Sequence, residues 1–240
     1  MIPEGGTGIE EIRRMGRAAA TVEFGSTAPP SRTAGGLLRD RFETPLLSMP
    51  LPIGVRASDR FFGALEEISG RPVPTLHAAE RGRLVDAYVD GHKYLSGRRA
   101  VVYGEEDLVA ALAGFLVEIG VKPVLLATGG ESGRLEEALR RDVPDLPAES
   151  IVRTAADFME IEEEARTLAP ELVIGNSKGY KLAGAVGAPL VRVGFPVHDR
   201  VGGARMLHLG YRGTQQLFDR IANALIEARQ EASTVGYFYM

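Results

Sequence analysis

Between residues 99 and 194, short apolar runs alternate with stretches whose apolar positions recur every three or four residues. The runs are 99–103, 123–127, 172–174 and 190–193, with a weaker one at 150–152. Each is short enough for a buried strand. After the first run, Leu108, Leu112, Phe115, Leu116 and Ile119 share one face of a predicted helix over 107–119, and Gly120 supplies its stop. The same spacing predicts helices near 132–142, 155–168 and 178–186. Strands alternating with helices in this way make βαβ units, so the fold class expected is α/β with a parallel sheet. Right-handed crossovers bring successive strand ends to one edge, where Gly104, Gly129, Asn176 and Gly194 are expected together.

Upstream, residues 9–15, 21–24, 31–42 and 46–49 read as helix, strand, helix and strand, an α/β rhythm that starts without its first strand. This is the look of a truncated domain. From 57 to 95 the pattern turns helical, broken once at Gly70-Arg71-Pro72-Val73-Pro74. After Gly194-Phe195-Pro196 comes an irregular stretch rich in Gly, His and Arg, then a helix from about 213 to 229. The aromatic tail Tyr237-Phe238-Tyr239-Met240 is expected either to dock or to meet a partner. The organisation expected is the end of one α/β domain over 1–55, linking helices over 56–97, a second α/β domain over 98–200, and a loop, helix and tail over 201–240.

Composition narrows the function classes. With 45% hydrophobic and 25% charged residues the chain is globular material. A net charge of -4, with Lys and Arg interspersed among Asp and Glu, offers no footprint for nucleic acid. The absence of cysteine excludes disulfides, thiolate zinc sites, a cysteine nucleophile and any cysteine-ligated cluster contributed by this chain. A cluster held by a partner stays open. The N-terminus has no basic region followed by an apolar core, and no apolar run approaches the roughly 20 residues of a membrane span. The expected location is cytoplasmic.

Ligands of such a sheet bind outside the carboxyl ends of its strands, which directs attention to four loops. Gly104-Glu105-Glu106-Asp107 stands where a dinucleotide fold carries its glycine fingerprint, but its three carboxylates would repel phosphate and suit the helix dipole instead. Thr128-Gly129-Gly130-Glu131-Ser132-Gly133 could form an anion-binding nest, or be a glycine turn with a serine cap. Gly175-Asn176-Ser177-Lys178-Gly179 gathers an amide, a hydroxyl and an ammonium at a helix start, as a ligand loop or as a simple cap. His198 and Asp199, with Arg205, His208 and Tyr211 nearby, could be acid–base machinery or a metal fragment. Two histidines ten residues apart without thiols make a poor metal signature, and His77 and His92 sit in helical patterns as surface or interface residues. The cofactor-binding candidates are therefore Asn176, Ser177, Lys178, His198 and His208, with no catalytic residue and no metal ligand assigned.

Several short motifs resemble a known family. Leu51-Pro52-Ile53-Gly54, Asp59-Arg60-Phe61, Ile68-Ser69-Gly70-Arg71-Pro72-Val73-Pro74, Glu80-Arg81-Gly82-Arg83-Leu84-Val85-Asp86 and Asp90-Gly91-His92 resemble, in order and spacing, the central run of nitrogenase β-type subunits. Ile174-Gly175-Asn176-Ser177, Pro189-Leu190-Val191-Arg192-Val193-Gly194-Phe195-Pro196, Asp199-Arg200 and Leu209-Gly210-Tyr211 continue the resemblance, which covers essentially the whole chain. Gly5-Gly6-Thr7 with Glu10-Glu11-Ile12, and residues 175–213, look more like the NifN-type cofactor-maturation scaffold than the catalytic β subunit.

The resemblance implies Rossmann-like domains with helices on both faces of the sheet, similar to the nitrogenase iron–molybdenum protein. Only the end of the middle domain, the linking helices and the last domain would be present. It further implies pairing with an α-type (NifE-like) subunit, homo-oligomer contacts and docking of the ATP-driven iron protein. In that family the cluster-ligating cysteines of the β-type subunit lie in a first domain absent from this sequence. The chain is thus expected to hold no cofactor alone, with an iron–sulfur cluster or iron–molybdenum cofactor precursor in the complete complex. The expected role is a scaffold subunit rather than an enzyme by itself. A β subunit of nitrogenase or a related reductase, and a free-standing small-molecule-binding α/β protein, are the alternatives.

Overall fold

The structure, a computed structural model, describes residues 7–234. Gly5, Gly6 and the aromatic tail lie outside the described residues. Two sheets result. The smaller pairs β1 (Thr21–Phe24) with β2 (Leu46–Met49) in parallel; α1 (Ile9–Arg14) precedes it in the chain, and α2 (Ala34–Phe42) is the crossover that packs on it. Two long helices follow, α3 (Val55–Ser69) and α4 (Thr75–Leu95), separated at the Gly70 to Pro74 break, where Gly70 takes the left-handed conformation at φ 64°.

The larger sheet contains β3 (Arg99–Tyr103), β4 (Lys122–Ala127), β5 (Ile151–Arg153), β6 (Leu172–Gly175) and β7 (Leu190–Arg192). Its order is β5-β4-β3-β6-β7 and every pairing is parallel, so the carboxyl ends share one edge as expected. The order reverses between β3 and β6, which is the switch point of a doubly wound sheet. Connecting and flanking helices are α5 (Glu106–Glu118), α6 (Leu135–Asp142), α7 (Phe158–Leu168), α8 (Tyr180–Val186) and α9 (Gly210–Glu231).

Strand pleating explains the two cores. Ala100 and Val102 point to one face, where they join Leu112, Phe115, Leu139, Leu217 and Ile221 from α5, α6 and α9. Val101 and Tyr103 point to the other, joining Ile161, Ala165 and Leu182 from α7 and α8. Both faces are covered, which is why the strands read as continuous apolar runs. The long helix α4 packs on α9 so closely that a Cβ at Gly91 would lie 2.5 Å from the Phe218 ring.

Carboxylates join the parts. Asp107, in the first turn of α5, accepts from the N–H groups of Ser26 (2.6 Å) and Thr27 (3.0 Å), holding the loop after β1. Glu118, in its last turn, accepts from Val55 N (2.6 Å), Arg56 N (2.9 Å) and the Tyr88 hydroxyl (2.8 Å), capping α3 from outside. Asp59 accepts from Arg81 (2.8 Å) and the Tyr211 hydroxyl (2.7 Å), tying α3, α4 and α9. Burial pulls the Asp59 carboxyl upward, but the bonds from Arg81 and Tyr211 outweigh it and leave it below its ordinary value.

Several boundaries differ from the periodicity, among them the following three. The helix expected at 132 begins at Leu135, because Ser132 donates its N–H to Glu106 and accepts from Arg134 N, forming a turn. The helix expected at 178 is preceded by a 3-10 turn over Ser177–Gly179. The last helix starts at Gly210 rather than 213, where Gly210 donates to the Pro52 carbonyl (2.8 Å).

Candidate functional site

At the β3 and β4 ends, the glycine-rich loop is already occupied by the chain itself. Glu106 is buried, and its Oε1 accepts from Ser132 N at 3.0 Å while lying against Gly130. Gly130 N donates to the Thr128 hydroxyl at 2.9 Å, tightening the turn. The expectation that the carboxylates of the first loop serve merely as helix-dipole charges is thus sharpened. Glu106 sits as an internal anion over the loop, and Asp107 binds another segment.

At the β6 and β7 ends the polar groups also pair with one another. Asn176 accepts from Lys178 N (3.1 Å) and donates its amide to the Phe195 carbonyl (3.0 Å), so it caps the 3-10 turn and fixes the next loop. Ser177 donates its N–H to the Pro196 carbonyl (3.0 Å) and its hydroxyl to Asp199. Arg192, buried at the end of β7, grips Asp199 with two N–H groups (2.9 and 2.6 Å). Hydrogen bonds from Arg192, then from Ser177, hold Asp199 far below the usual carboxylate range. Tyr103 donates to the Asn176 carbonyl and accepts from Gly179 N (3.1 Å), and burial raises its hydroxyl pKa. The Tyr103 ring fits only because residues 175 and 179 lack side chains.

Of the five residues singled out in the sequence, Asn176, Ser177, Lys178 and His198 come together at this edge. His208 does not line the cleft. It sits behind β7, where its Nε2 meets Arg220 (3.3 Å) and Arg220 donates to the Arg192 carbonyl. Burial, then the charge of Arg220, pushes the His208 pKa down to about 4, so the ring is neutral at ordinary pH. The idea of a His198–Asp199 acid–base pair finds no geometry: Asp199 is bound to Arg192 and His198 is exposed.

Sequence reading missed Arg192 and the apolar lining of the cleft. Arg192 lay inside an apolar run, and the available signal was that an arginine in a buried strand requires an acidic partner. The cleft has a volume of about 720 Å³ and runs between the start of α7, α8 and residues 198–200. Its walls carry Phe158, Met159 and Tyr180, with Lys178, Lys181 and Arg200 around them.

A cluster or metal needs donors that converge. The sequence offers no thiolate, His77 is taken up by Glu80, and His208 by Arg220. Among the described residues no three His, Asp or Glu side chains form a metal-holding group, so the donor set does not fit an iron–sulfur cluster. No helix among them is long and apolar enough to cross a membrane.

Comparison with known proteins gives a consistent result. The profile of the nitrogenase component 1 type oxidoreductases matches residues 1–226. The nitrogenase molybdenum-iron protein beta chain of Clostridium pasteurianum is 32% identical over 98% of this chain and 51% of its own length. The iron-molybdenum cofactor biosynthesis protein NifN of Bradyrhizobium diazoefficiens is 31% identical over 95% of this chain and 46% of its own. Among solved structures, nitrogenase Cp1 at pH 6.5 superposes with a TM-score of 0.92 at 30% identity, over 100% of this chain and 52% of that one. The chain therefore spans about half the length of the curated relatives it matches.

Proposed function

Because the chain belongs to the family of nitrogenase component 1 type oxidoreductases and is similar to its beta chains and NifN proteins, we propose that it serves as the C-terminal half of a NifN-type scaffold subunit in iron–molybdenum cofactor biosynthesis. In this reading it acts with an α-type (NifE-like) partner, and any iron–sulfur cluster or cofactor precursor is held by the rest of the complex. The observation that carries it is the condition of the sheet edge. Asn176, Ser177, Arg192, Asp199 and Glu106 are all engaged in bonds to other segments, which suits a subunit that presents a rigid surface rather than reacting groups. Asn176, Ser177, Lys178 and His198 then shape the surface toward the partner or its cargo.

The second reading, the β subunit of a nitrogenase, is favoured by matches of 32–35% to molybdenum-iron, iron-iron and vanadium-iron beta chains. Chimaeras separate the two. The chain replaces the corresponding half of the Bradyrhizobium diazoefficiens NifN or of the Clostridium pasteurianum beta chain, each in a background lacking that gene. The scaffold reading expects cofactor assembly to return with the NifN chimaera and little substrate reduction with the beta-chain chimaera. Restoration of turnover by the beta-chain chimaera alone overturns it.

A further inference from the structure

Residues 195–209 cross from β7 to α9 as one segment whose two halves are held by different chemistry. The first half is held by an ion pair and backbone bonds. Asp199 takes two N–H groups of Arg192 at 2.9 and 2.6 Å and the Ser177 hydroxyl, while the Phe195 and Pro196 carbonyls accept from Asn176 and Ser177. Between Arg200 and His208, the one side-chain hydrogen bond among the described residues that reaches another element is His208 to Arg220 on α9, at 3.3 Å. The N–H groups of Gly203, Arg205 and Met206 bond only within the segment. A guanidinium can donate but not accept, so Nε2 of His208 is the acceptor and the ring proton sits on Nδ1.

No carboxylate balances this contact. Arg220 makes no ion pair among the described residues; its other bond goes to the Arg192 carbonyl, and the Arg192 guanidinium is committed to Asp199. Asp219, beside Arg220 on α9, is paired with neither Arg220 nor His208 and is affected by burial alone. Asp59 of α3, which reaches the start of α9, is bound to Arg81 and Tyr211. Arg205, on the segment itself, lies over Gly202. The charge that meets the ring is therefore Arg220, with Arg192 behind it.

We propose that neutral His208 and Arg220 form an acid-sensitive latch on residues 200–209. When Nε2 takes a proton from water, donor meets donor, and two cations stand together without a carboxylate. Residues 200–209 then leave α9. Asp199, held ionised by Arg192, keeps residues 195–199 in place. The latch is complete above the ordinary histidine value of 6.5 and is lost as pH falls toward about 4. It goes beyond the subunit assignment and is independent of it.

Amide hydrogen exchange of the full chain at pH 7.5 and pH 5, corrected for the intrinsic pH dependence of exchange, tests the latch. Opening of peptides within 200–209 is expected to rise at least about tenfold at pH 5, with 172–177 and 190–196 unchanged. His208→Gln keeps an acceptor that does not titrate and should stay closed at both values. His208→Lys installs a permanent cation and should be open at both. Spectra of 15N-labelled histidine at pH 7.5 should show His208 protonated on Nδ1 alone. A proton on Nε2 overturns the latch, as does a rise in His208→Gln equal to that of the unaltered chain, or no rise in the unaltered chain. Opening of 190–196 together with 200–209 overturns the independence of the two halves.

Discussion

Two glycines of the same short segment should respond oppositely to alanine. A Cβ at Gly179 would stand 2.0 Å from the Tyr103 hydroxyl oxygen, and the ring is 2% exposed and cannot swing away. Gly179→Ala is expected to cost about 1–3 kcal/mol, lowering the midpoint of urea unfolding. Gly184, inside α8, has nothing within 4 Å of its virtual Cβ. Gly184→Ala should raise the midpoint, by about 0.5–1 kcal/mol of helix preference. His208 gives a pH dependence of known sign. Its pKa in the folded state is pushed from an ordinary 6.5 down to about 4, so between these values the unfolded chain binds more protons. Its stabilising contribution is complete above pH 6.5 and is lost as pH falls toward 4. Solvent screening of the partly exposed ring limits it to about 1–2 kcal/mol. Unfolding free energies of His208→Gln should lack this slope; an unchanged slope would sink the assignment.

At the scale of elements, the helices were legible because their apolar stripes are local, and the strands because both faces of the large sheet are covered. What joins the elements was not legible. Asp59 meets Arg81 across 22 residues and Tyr211 across 152, and no local pattern announces such a meeting. The motifs that carry the family resemblance at 51–61, 80–86 and 209–211 fall at this junction, so part of the signature is architecture. Glu118 is its clearest member, since one carboxylate satisfies two N–H groups at the start of α3 and the Tyr88 hydroxyl. Glu118→Ala strands these donors and is expected to cost about 2–3 kcal/mol, lowering Tm by roughly 5–10 °C. Glu118→Gln, which keeps an acceptor, should fall between. Scanning calorimetry tests the ordering.

For the whole molecule, two sheets of unequal independence are joined. Three or more strands with a covered face can stand alone, whereas a two-stranded sheet depends on its attachments. One attachment of the β1–β2 part is Asp107, which holds the backbone of Ser26 and Thr27. Asp107→Ala should speed amide hydrogen exchange across residues 21–49 while leaving 99–103 and 172–175 unchanged. Uniform acceleration over both sheets would show that they open as one unit. The candidate site was half legible at this scale. The topology correctly gathered Asn176, Ser177, Lys178 and His198 at one edge. The lateral position of His208 behind β7, and the apolar walls supplied by α7 and α8, required the packing of helices onto the sheet.

The carboxylate of Glu106 over the glycine-rich loop changes what such a loop can recognise. A group delivered by the same helix competes as an intramolecular ligand, with an effective concentration in the millimolar range or above. A dissolved phosphate must displace it and also approach a like charge, so tethering and repulsion act together against nucleotide capture. A receptor for free anions at this position would thus be exposed by losing one side chain, Glu106, rather than built by gaining any.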